Sequence, residues 1–343
     1  MTNTAAFYRG DRRFEIEQIP ERAPLPGEVQ IDVAFCGICG TDLHAFHGNM
    51  DARIGTHRVI GHEMSGRVSA IGADVLGIAV GENVVVRPLD PCGSCPACRA
   101  GLSHICHRLK FLGLDTDGAF QQKWTVPAHT IHVLPADMPL DRAALIEPLA
   151  VACHDVRMSR LVAGEMALVI GGGPIGVLVA MVAAYKGARV LVSEVNENRL
   201  AKIAALGLAG INPTKTDLSR EITRMTADKG ADVVFEVSGS QGGVDLMTEV
   251  AATRGRIVMV AMHPRKPTVD LFRFFWRELQ LIGTRVYEPE DYEAAIALLE
   301  GGKVDVDGLI TDRRPLREIQ AAFDALDNNP VAMKTLIDCG SAA

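Results

Sequence analysis

This sequence contains no cluster of lysines and arginines, and its formal net charge is -7 at pH 7. A nucleic-acid-binding protein of this size normally carries a basic face, so the lack of one argues against that class. Aromatic residues are also few, at 5% of the chain. The segment FRFFWREL, residues 272–279, mixes aromatic and basic side chains at helical spacing. We interpret it as the apolar face of a helix with solvated arginines, not as a phosphate groove.

Long apolar runs are scarce as well. Residues 166–185, MALVIGGGPIGVLVAMVAAY, carry no charge, but glycines and a proline lie in the middle, where they would break a membrane-spanning helix. A buried strand, a tight turn and a buried helix explain this run better. The start, MTNTAAFYRGDRRFE, lacks the apolar stretch of a signal peptide. We therefore expect a cytoplasmic protein without a membrane partner.

Cysteine, in contrast, is plentiful: the chain has 8, and several lie in PCGSCPACRAGLSHIC, residues 91–106. In a reducing cytosol, clustered cysteines are more often metal ligands than disulfides. The spacing C-x2-C-x2-C-x7-C fills a tetrahedral zinc site and leaves no open coordination position, which indicates a structural site. A Cys-x-x-Cys redox pair and an iron–sulfur cluster are the alternatives, although the Cys-Pro of the usual cluster motif is absent. The predicted ligands are Cys92, Cys95, Cys98 and Cys106.

The pattern of apolar residues changes midway along the chain. Residues 28–90 contain apolar residues that alternate with polar or small ones between glycine turns, which is typical of β structure. Later segments alternate apolar strands, such as ARVLVSEV, with alanine-rich helices, such as PIGVLVAMVAAYKG. This rhythm predicts an α/β protein with a doubly wound parallel sheet. The predicted domains are residues 1–150 and 151–285, with a C-terminal segment, 286–343, that returns to the first domain.

The glycine-rich turn VIGGGPIG follows one predicted strand and opens the next helix. Its G-x-G-x-x-G pattern permits a tight turn and lets a pyrophosphate approach backbone N–H groups closely. Glu194 ends the following strand, where a carboxylate accepts both ribose hydroxyls and repels a 2′-phosphate, so NAD is favoured over NADP. Arg199 would soften that preference. The predicted cofactor-binding turn residues are Gly171, Gly173, Pro174, Ile175 and Gly176.

Two further segments, CGICGTDLH and GHEMSG, carry possible metal ligands. Cys39 offers a thiolate, His62 an imidazole and Glu63 a carboxylate, a mixed set that a catalytic zinc uses with one position left open. Spacing alone does not join the two segments, and buried thiols beside a structural Gly-His-Glu are the alternative. Glu147, in IEPLAVACHDV, lies where the two domains should meet, and clefts between domains bind substrates. A solvated helix turn is the alternative for that glutamate.

Taken together and in this order, CGICGTDLH, GHEMSG, the four-cysteine loop, EPLAVACH and GGGPIG resemble the zinc-dependent medium-chain alcohol dehydrogenase family. The resemblance covers essentially the whole chain and is closest to the polyol branch, which includes sorbitol- and butanediol-type dehydrogenases. It implies a GroES-like β-barrel catalytic domain that holds one catalytic and one structural zinc. It also implies a Rossmann domain that binds NAD.

The same resemblance implies roles for individual residues. Thr41 and His44 match the proton relay of the family, and Asp42 matches the carboxylate that orients the zinc-binding histidine. Glu63 matches a carboxylate that binds or exchanges with the metal, so it is counted among the catalytic residues as well. The implied ligands of the catalytic zinc are Cys39, His62, Glu63 and Glu147, the two glutamates binding directly or through water.

The activity implied is a zinc-dependent, NAD-linked oxidation of a secondary alcohol on a polyol, sugar alcohol, sugar acid or vicinal diol. L-Threonine 3-dehydrogenase is the nearest alternative. It has an Asp-Pro pair where this chain has Glu147, and a functional histidine where this chain has Leu89. A zinc- and NAD-binding protein without catalysis is a second alternative, which the complete set of ligands and relay residues disfavours.

The substrate pocket is the part that the sequence predicts least well. Phe46 and Phe120 are expected to line it, and Arg285, which follows the apolar strand LQLIGT, is expected to bind substrate hydroxyls or a carboxylate. Each of the three has a structural role as its alternative. The family also leads us to expect a homodimer or homotetramer, formed through strands at the edge of the Rossmann sheet.

Overall fold

The computed structural model describes residues 2–263, 265–328 and 332–341. The chain divides into two units. Unit 1 comprises residues 1–147, 295–301 and 309–343, and unit 2 comprises residues 148–294 and 302–308. The predicted C-terminal segment, residues 286–343, is thus divided between the two units.

Helices and strands are numbered in chain order. The first half contains β1 (Thr2–Tyr8), β2 (Phe14–Pro20), β3 (Glu28–Gly37), α1 (Gly40–Phe46), α2 (Asp51–Ile54), β4 (Arg58–Val59), β5 (Glu63–Ile71), β6 (Asn83–Val86), β7 (Leu89–Asp90), α3 (Pro96–Arg99), β8 (Lys110–Phe111), β9 (Lys123–Pro127), β10 (Ile131–Val133), α4 (Leu140–Ala143) and α5 (Ile146–Met158). The second half contains β11 (Met166–Ile170), α6 (Pro174–Tyr185), β12 (Arg189–Ser193), α7 (Glu197–Ala205), β13 (Ala209–Ile211), α8 (Leu218–Thr226), β14 (Ala231–Glu236), α9 (Gln241–Val250), β15 (Ala251–Met259), α10 (Leu271–Arg277), β16 (Gln280–Gly283), α11 (Pro289–Glu300), β17 (Ile310–Pro315), α12 (Ile319–Asn328) and β18 (Lys334–Asp338).

Unit 1 is built around a seven-stranded sheet in the order β10-β6-β5-β3-β18-β17, with β9 also paired to β3. A smaller sheet has the order β2-β1-β4, and β7 pairs with β8. The last strand, β18, lies antiparallel to β3 and opposes Leu336 to Gly37. Through this pairing the C-terminal strand reaches the segment that carries the predicted metal ligands.

Unit 2 contains a six-stranded sheet in the order β13-β12-β11-β14-β15-β16, and all five neighbouring pairs are parallel. Every residue of β11 is buried, as expected for a strand covered on both faces. The strand order reverses beside β11, and ligands of such sheets bind where the carboxyl ends diverge at this point. The predicted doubly wound parallel sheet is confirmed.

The FRFFWREL segment forms a helix, α10, as predicted, but none of the helix residues is buried. Of the expected apolar face, Phe274 is partly buried and packs against the core of unit 2. Among the described residues, the side chains of Leu271, Phe272, Phe275 and Trp276 are all exposed.

Helix α5 is tied to the start of α11 by a buried ion-pair network. His154 Nδ1 lies 2.8 Å from Asp291 Oδ2, and both side chains are only 2% exposed. Arg157 Nε donates to Asp291 Oδ1 over 2.7 Å. Burial alone would raise the pKa of Asp291, but hydrogen bonds from Arg157 and His154 outweigh it and hold the pKa of this carboxyl well below its usual range. The carboxylate thus stabilises the fold in its ionised form.

Substituting Asp291→Asn should lower the free energy of unfolding by about 3 kcal/mol, because it removes the buried carboxylate that His154 and Arg157 contact. Glu290→Gln removes an exposed partner of the same arginine and should cost less than about 1 kcal/mol. Urea unfolding of the full chain measures both. Because the pKa of Asp291 is lowered on folding, its contribution should be complete above about pH 4 and decrease as the pH falls. An equal effect of the two variants, or a loss that grows toward high pH, would contradict this assignment.

Candidate active site

Cys39 caps the amino end of α1 and is fixed by hydrogen bonds on both sides. The Thr41 backbone N–H donates to Cys39 Sγ over 3.2 Å. The Cys39 N–H donates to Asp42 Oδ2 over 2.9 Å, which completes a reciprocal capping box. The cap holds the thiol in one orientation at the helix terminus.

His62 reaches the same position from the loop before β5. Its Nε2 lies 3.3 Å from Cys39 Sγ, and its Nδ1 lies 3.8 Å from Asp42 Oδ1. The preceding residue, Gly61, has φ of 98°, and a Cβ there would lie 2.9 Å from both Cys36 Sγ and a Phe120 ring carbon. A side chain at position 61 would therefore displace the loop that places His62.

The residues of this cluster fit a zinc ion. Ligand atoms of Cys39, Asp42 and His62 lie within 4.8 Å of one another. Asp42 Oδ1 and His62 Nδ1 are buried and have no hydrogen-bond partner within the described part of the chain. Burial, together with the charges of Asp42 and Glu63, raises the pKa of the Cys39 thiol well above its ordinary value. The charge of Lys334 acts in the opposite direction but does not outweigh them. A further cation would favour the thiolate, and thiolate with imidazole is a donor set that zinc prefers.

The two glutamates predicted as ligands fall outside that group. Glu63 is buried, and both of its carboxylate oxygens accept from Lys334 Nζ, over 2.8 Å and 2.5 Å. Glu147 is buried in the first turn of α5. Direct zinc binding by either residue remains a prediction.

Lys334 is a site residue that the sequence reasoning missed. It is only 2% exposed and also donates to the Ile38 carbonyl over 3.2 Å. Burial by itself lowers the pKa of its ammonium group, but the charges of Glu63 and Cys39 outweigh this and raise that pKa. The available signal was a lysine within the apolar stretch VAMKTLID, since a charge buried with such a stretch needs a partner.

The relay residues lie on α1, beside the metal ligands. Thr41 and His44 are both partly exposed, so each is open to solvent or to a bound molecule. Their proton-transfer roles remain predictions.

The four-cysteine loop forms a compact set of sulfur atoms. Ligand atoms of all four lie within 4.8 Å of one another, and none of the cysteines is in a disulfide. Hydrogen bonds from the Ser94 backbone and Arg108 lower the pKa of Cys92 to about 5. Four sulfurs at these separations fit a closed tetrahedral zinc site. The members are Cys92, Cys95, Cys98 and Cys106.

The glycine turn of unit 2 forms a cradle for a dinucleotide. Gly171 has φ of 107°, and a Cβ there would lie 2.9 Å from Ser238 N. A Cβ on Gly176 would lie 1.9 Å from the Gly171 carbonyl oxygen. Gly173 is the N-cap of α6, and Pro174 is at its first turn. The free N–H groups of this helix terminus suit a pyrophosphate, so the residues fit NAD.

Glu194 directly follows β12, at the place that the sequence predicts. Its carboxylate also binds the backbone of the glycine turn and of the loop after β12. It accepts from Gly172 N over 2.9 Å and from Asn196 N over 2.8 Å. Arg199 Nη1 lies 3.8 Å from Glu194 Oε2. A carboxylate at this place beside the turn would repel a 2′-phosphate.

Of the predicted substrate contacts, the two phenylalanines are core residues. Phe46 and Phe120 are 1% and 0% exposed, and both pack against Phe323, at ring-centroid distances of 5.1 and 5.9 Å. We therefore do not retain them in the proposed substrate pocket. Arg285 is exposed and follows β16.

In the described residues no helix combines the length and the apolar character needed to cross a membrane.

Comparisons with known proteins agree with this geometry. Residues 25–136 match the family model described as alcohol dehydrogenase GroES-like domain, and residues 174–301 match zinc-binding dehydrogenase. The chain is 53% identical over 337 residues to 2-dehydro-3-deoxy-L-galactonate 5-dehydrogenase of Pseudoalteromonas atlantica, which covers 98% of this chain and 99% of the relative.

Two solved structures show the same fold with a cofactor bound. A zinc-binding dehydrogenase from Sinorhizobium meliloti 1021 bound to NADP has a TM-score of 0.92 and 28% identity. An alcohol dehydrogenase from Escherichia coli CFT073 complexed with NADH has a TM-score of 0.91 and 25% identity. Each alignment covers 98% of this chain and 99% of the other chain.

Substituting Cys39→Ser should remove the catalytic zinc, because a hydroxyl is a poorer zinc ligand than a thiolate. We expect the metal content to fall by one zinc per chain and turnover to fall at least about 100-fold, while NAD binding stays unchanged. Cys153→Ser replaces a buried thiol in unit 2 and serves as the control. Metal analysis, an activity assay and NAD titration measure zinc content, turnover and cofactor binding separately. Full zinc content with full activity in the Cys39 variant would contradict the assigned site.

Proposed function

Because this chain belongs to the zinc-dependent medium-chain alcohol dehydrogenase family, we propose that it oxidises a secondary hydroxyl of a sugar acid to a ketone with NAD as the acceptor. The broader activity, dehydrogenation of a polyol, sugar-acid or diol alcohol, follows from the family. The observation that carries the narrower proposal is the 53% identity to a sugar-acid dehydrogenase over 98% of this chain. The reaction removes a proton and a hydride from the substrate and forms NADH.

Different side chains would bind the metal, orient its ligand and transfer the proton in this reaction. Cys39 and His62 would hold zinc, and Asp42 would orient the imidazole through its Nδ1 side. When bound, zinc lowers the pKa of an alcohol and NAD accepts the hydride. Thr41 Oγ1 would accept the hydroxyl proton as its own proton moves on toward the His44 ring, which releases a proton to solvent.

Lys334 balances the charge of this region in the same proposal. The cation compensates the negative charge of Glu63, so that the thiolate of Cys39 is not opposed by a second uncompensated anion. A buried ion pair stabilises a fold only when its donors and acceptors are hydrogen-bonded. Here Lys334 Nζ donates to both Glu63 oxygens and to the Ile38 carbonyl.

The alternative functions have less support. A threonine dehydrogenase would need the Asp-Pro pair and the histidine that Glu147 and Leu89 replace. A non-catalytic NAD- and zinc-binding protein would not need Cys39, His62 and Asp42 clustered within 4.8 Å. Supplying the purified protein with NAD and a panel of sugar acids, polyols and L-threonine, and following NADH absorbance, tests all three. The proposal fails if L-threonine is the best substrate or if no alcohol is oxidised.

Arg285 supports recognition of an acidic substrate. It is exposed and follows β16 at the carboxyl edge of the sheet, where ligands of such folds bind. The next residue, Val286, has φ of 51°, a region that β-branched residues rarely adopt. Such strain costs about 1–3 kcal/mol and clusters at functional sites. We assign the guanidinium to the substrate carboxylate.

Substituting Arg285→Met should raise KM for 2-dehydro-3-deoxy-L-galactonate about 10-fold, because a charged hydrogen bond is lost. KM for 2,3-butanediol, which has no carboxylate, should stay within about 2-fold. Arg254→Met, the control, removes an exposed arginine of β15 in the same unit. It should leave KM for the acid and for the diol unchanged. Steady-state kinetics with both substrates decides the matter. An equal rise for acid and diol would argue against a carboxylate contact.

The same proposal includes a homo-oligomer formed through β16. This strand ends the six-stranded sheet, and in the described residues its ladder partner is β15 alone. Its Leu281 is exposed, as are four of the five apolar side chains of α10, Leu271, Phe272, Phe275 and Trp276. An exposed edge strand beside apolar surface favours association, and a symmetric pair is the commonest solution. A second copy of this chain is the proposed occupant.

Substituting Leu281→Lys should convert the oligomer to monomers, because a charge on the edge strand opposes pairing. Light scattering after size exclusion at micromolar concentration measures the mass. Leu76→Lys changes an exposed leucine of unit 1 and should leave the mass unchanged. A wild-type protein that is monomeric under these conditions would refute the interface.

The proposal also places this protein in the cytoplasm. All 8 cysteines of the chain lie in the described residues and none forms a disulfide, which suits a reducing compartment.

A further inference from the structure

A buried carboxylate, Glu236, lies at the carboxyl end of β14, next to the dinucleotide turn, and the sequence reasoning gave it no role. Its side chain is 0% exposed. Glu236 Oε1 accepts from Ser238 N over 3.0 Å, from Ser238 Oγ over 2.5 Å and from Gly239 N over 3.2 Å. The carboxylate therefore shapes the turn that follows its own strand.

The other oxygen of this carboxylate contacts the segment after the neighbouring strand. Glu236 Oε2 lies 3.1 Å from Nε2 of His263, whose side chain is 12% exposed. In the described residues, His263 Nε2 has no hydrogen-bond partner. This side-chain contact joins the segments that follow β14 and β15. The backbone N–H of Ala261 also donates to the Glu236 carbonyl over 3.0 Å.

The turn held by Glu236 packs directly against the cofactor cradle. A Cβ on Gly171, the first glycine of the fingerprint, would lie 2.9 Å from Ser238 N and 3.0 Å from Ser238 Cα. The Val237 N–H donates to the Ile170 carbonyl over 2.9 Å, immediately before that glycine. A shift of the Ser238 turn would therefore move the backbone that approaches the pyrophosphate.

We propose that Glu236 and His263 are positioning residues that hold the pyrophosphate-binding turn in its binding conformation. This inference rests on the proposed function, because it takes NAD as the ligand. The pair itself need not touch the cofactor. It lowers the cost of binding by ordering the turn before NAD arrives, and the loss of preorganisation appears as weaker affinity.

Three nucleotides distinguish this role from general stabilisation. NAD and ADP-ribose contain the pyrophosphate, whereas AMP lacks it and tests the adenosine end near Glu194. Glu236→Ala should raise the Kd of NAD and of ADP-ribose about 10-fold and leave the Kd of AMP within about 2-fold. His263→Gln should raise the first two about 3-fold. Glu236→Gln keeps an acceptor for the turn and should lie between wild type and the alanine variant.

Titration calorimetry on the zinc-loaded full chain measures the three affinities, and thermal unfolding reports stability. Glu278→Gln, an exposed glutamate of unit 2, is the control and should match wild type. At saturating NAD, kcat of the variants should equal that of wild type, since only binding is affected.

Two results would overturn the inference. One is a wild-type Kd for NAD in both His263→Gln and Glu236→Gln, and the other is an equal loss for AMP and NAD. If Glu236→Ala does not fold, the milder pair of variants decides the question. A wild-type chain that fails to bind NAD would refute the proposed function itself, an outcome that the variants do not produce.

Discussion

Unit 1 depends on one buried ion pair, Lys334 with Glu63. Glu63 and Asp42 are carboxylates removed from water, and Cys39 lies beside them. A buried charge without a partner costs several kcal/mol, so this group of acids needs positive charge close by. Lys334 supplies one cation, and zinc held by Cys39 and His62 would supply the rest. The pair also links the C-terminal strand to the metal site, because Lys334 is the first residue of β18.

Glycine makes the close approaches possible in both units. A Cβ on Gly37 would lie 2.4 Å from Glu63 Oε2, so the ion pair fits only because that position has no side chain. Gly61 serves the loop that places His62, and Gly171 accepts the Ser238 turn against the cofactor cradle. At each position a Cβ would overlap a neighbouring group, which is a carboxylate at Gly37, the Cys36 and Phe120 side chains at Gly61, and backbone at Gly171.

Unit 2 uses buried carboxylates differently from unit 1. Glu194 accepts a backbone N–H from the loop after the neighbouring strand β11, whereas Glu236 accepts backbone N–H groups from the turn after its own strand β14. Oriented backbone donors lie against both carboxylates, and the Arg199 guanidinium lies 3.8 Å from the Glu194 carboxylate. Both loops lie at the carboxyl edge of the sheet, so the carboxylates order the backbone where the dinucleotide is expected. Ordered loops at that edge reduce the entropy lost on binding.

The sequence by itself determined the parallel sheet of unit 2, the four-cysteine set and the glycine turn, because each is a pattern of spacing within a short stretch. Tertiary structure alone decided which distant residues meet. Lys334 and Glu63 are 271 positions apart, and Glu236 reaches His263 only because β14 and β15 are neighbours. Phe46 joined the core, whereas Phe272, Phe275 and Trp276 of α10 stayed exposed, since strand order and register, and not local pattern, determine what each side chain contacts.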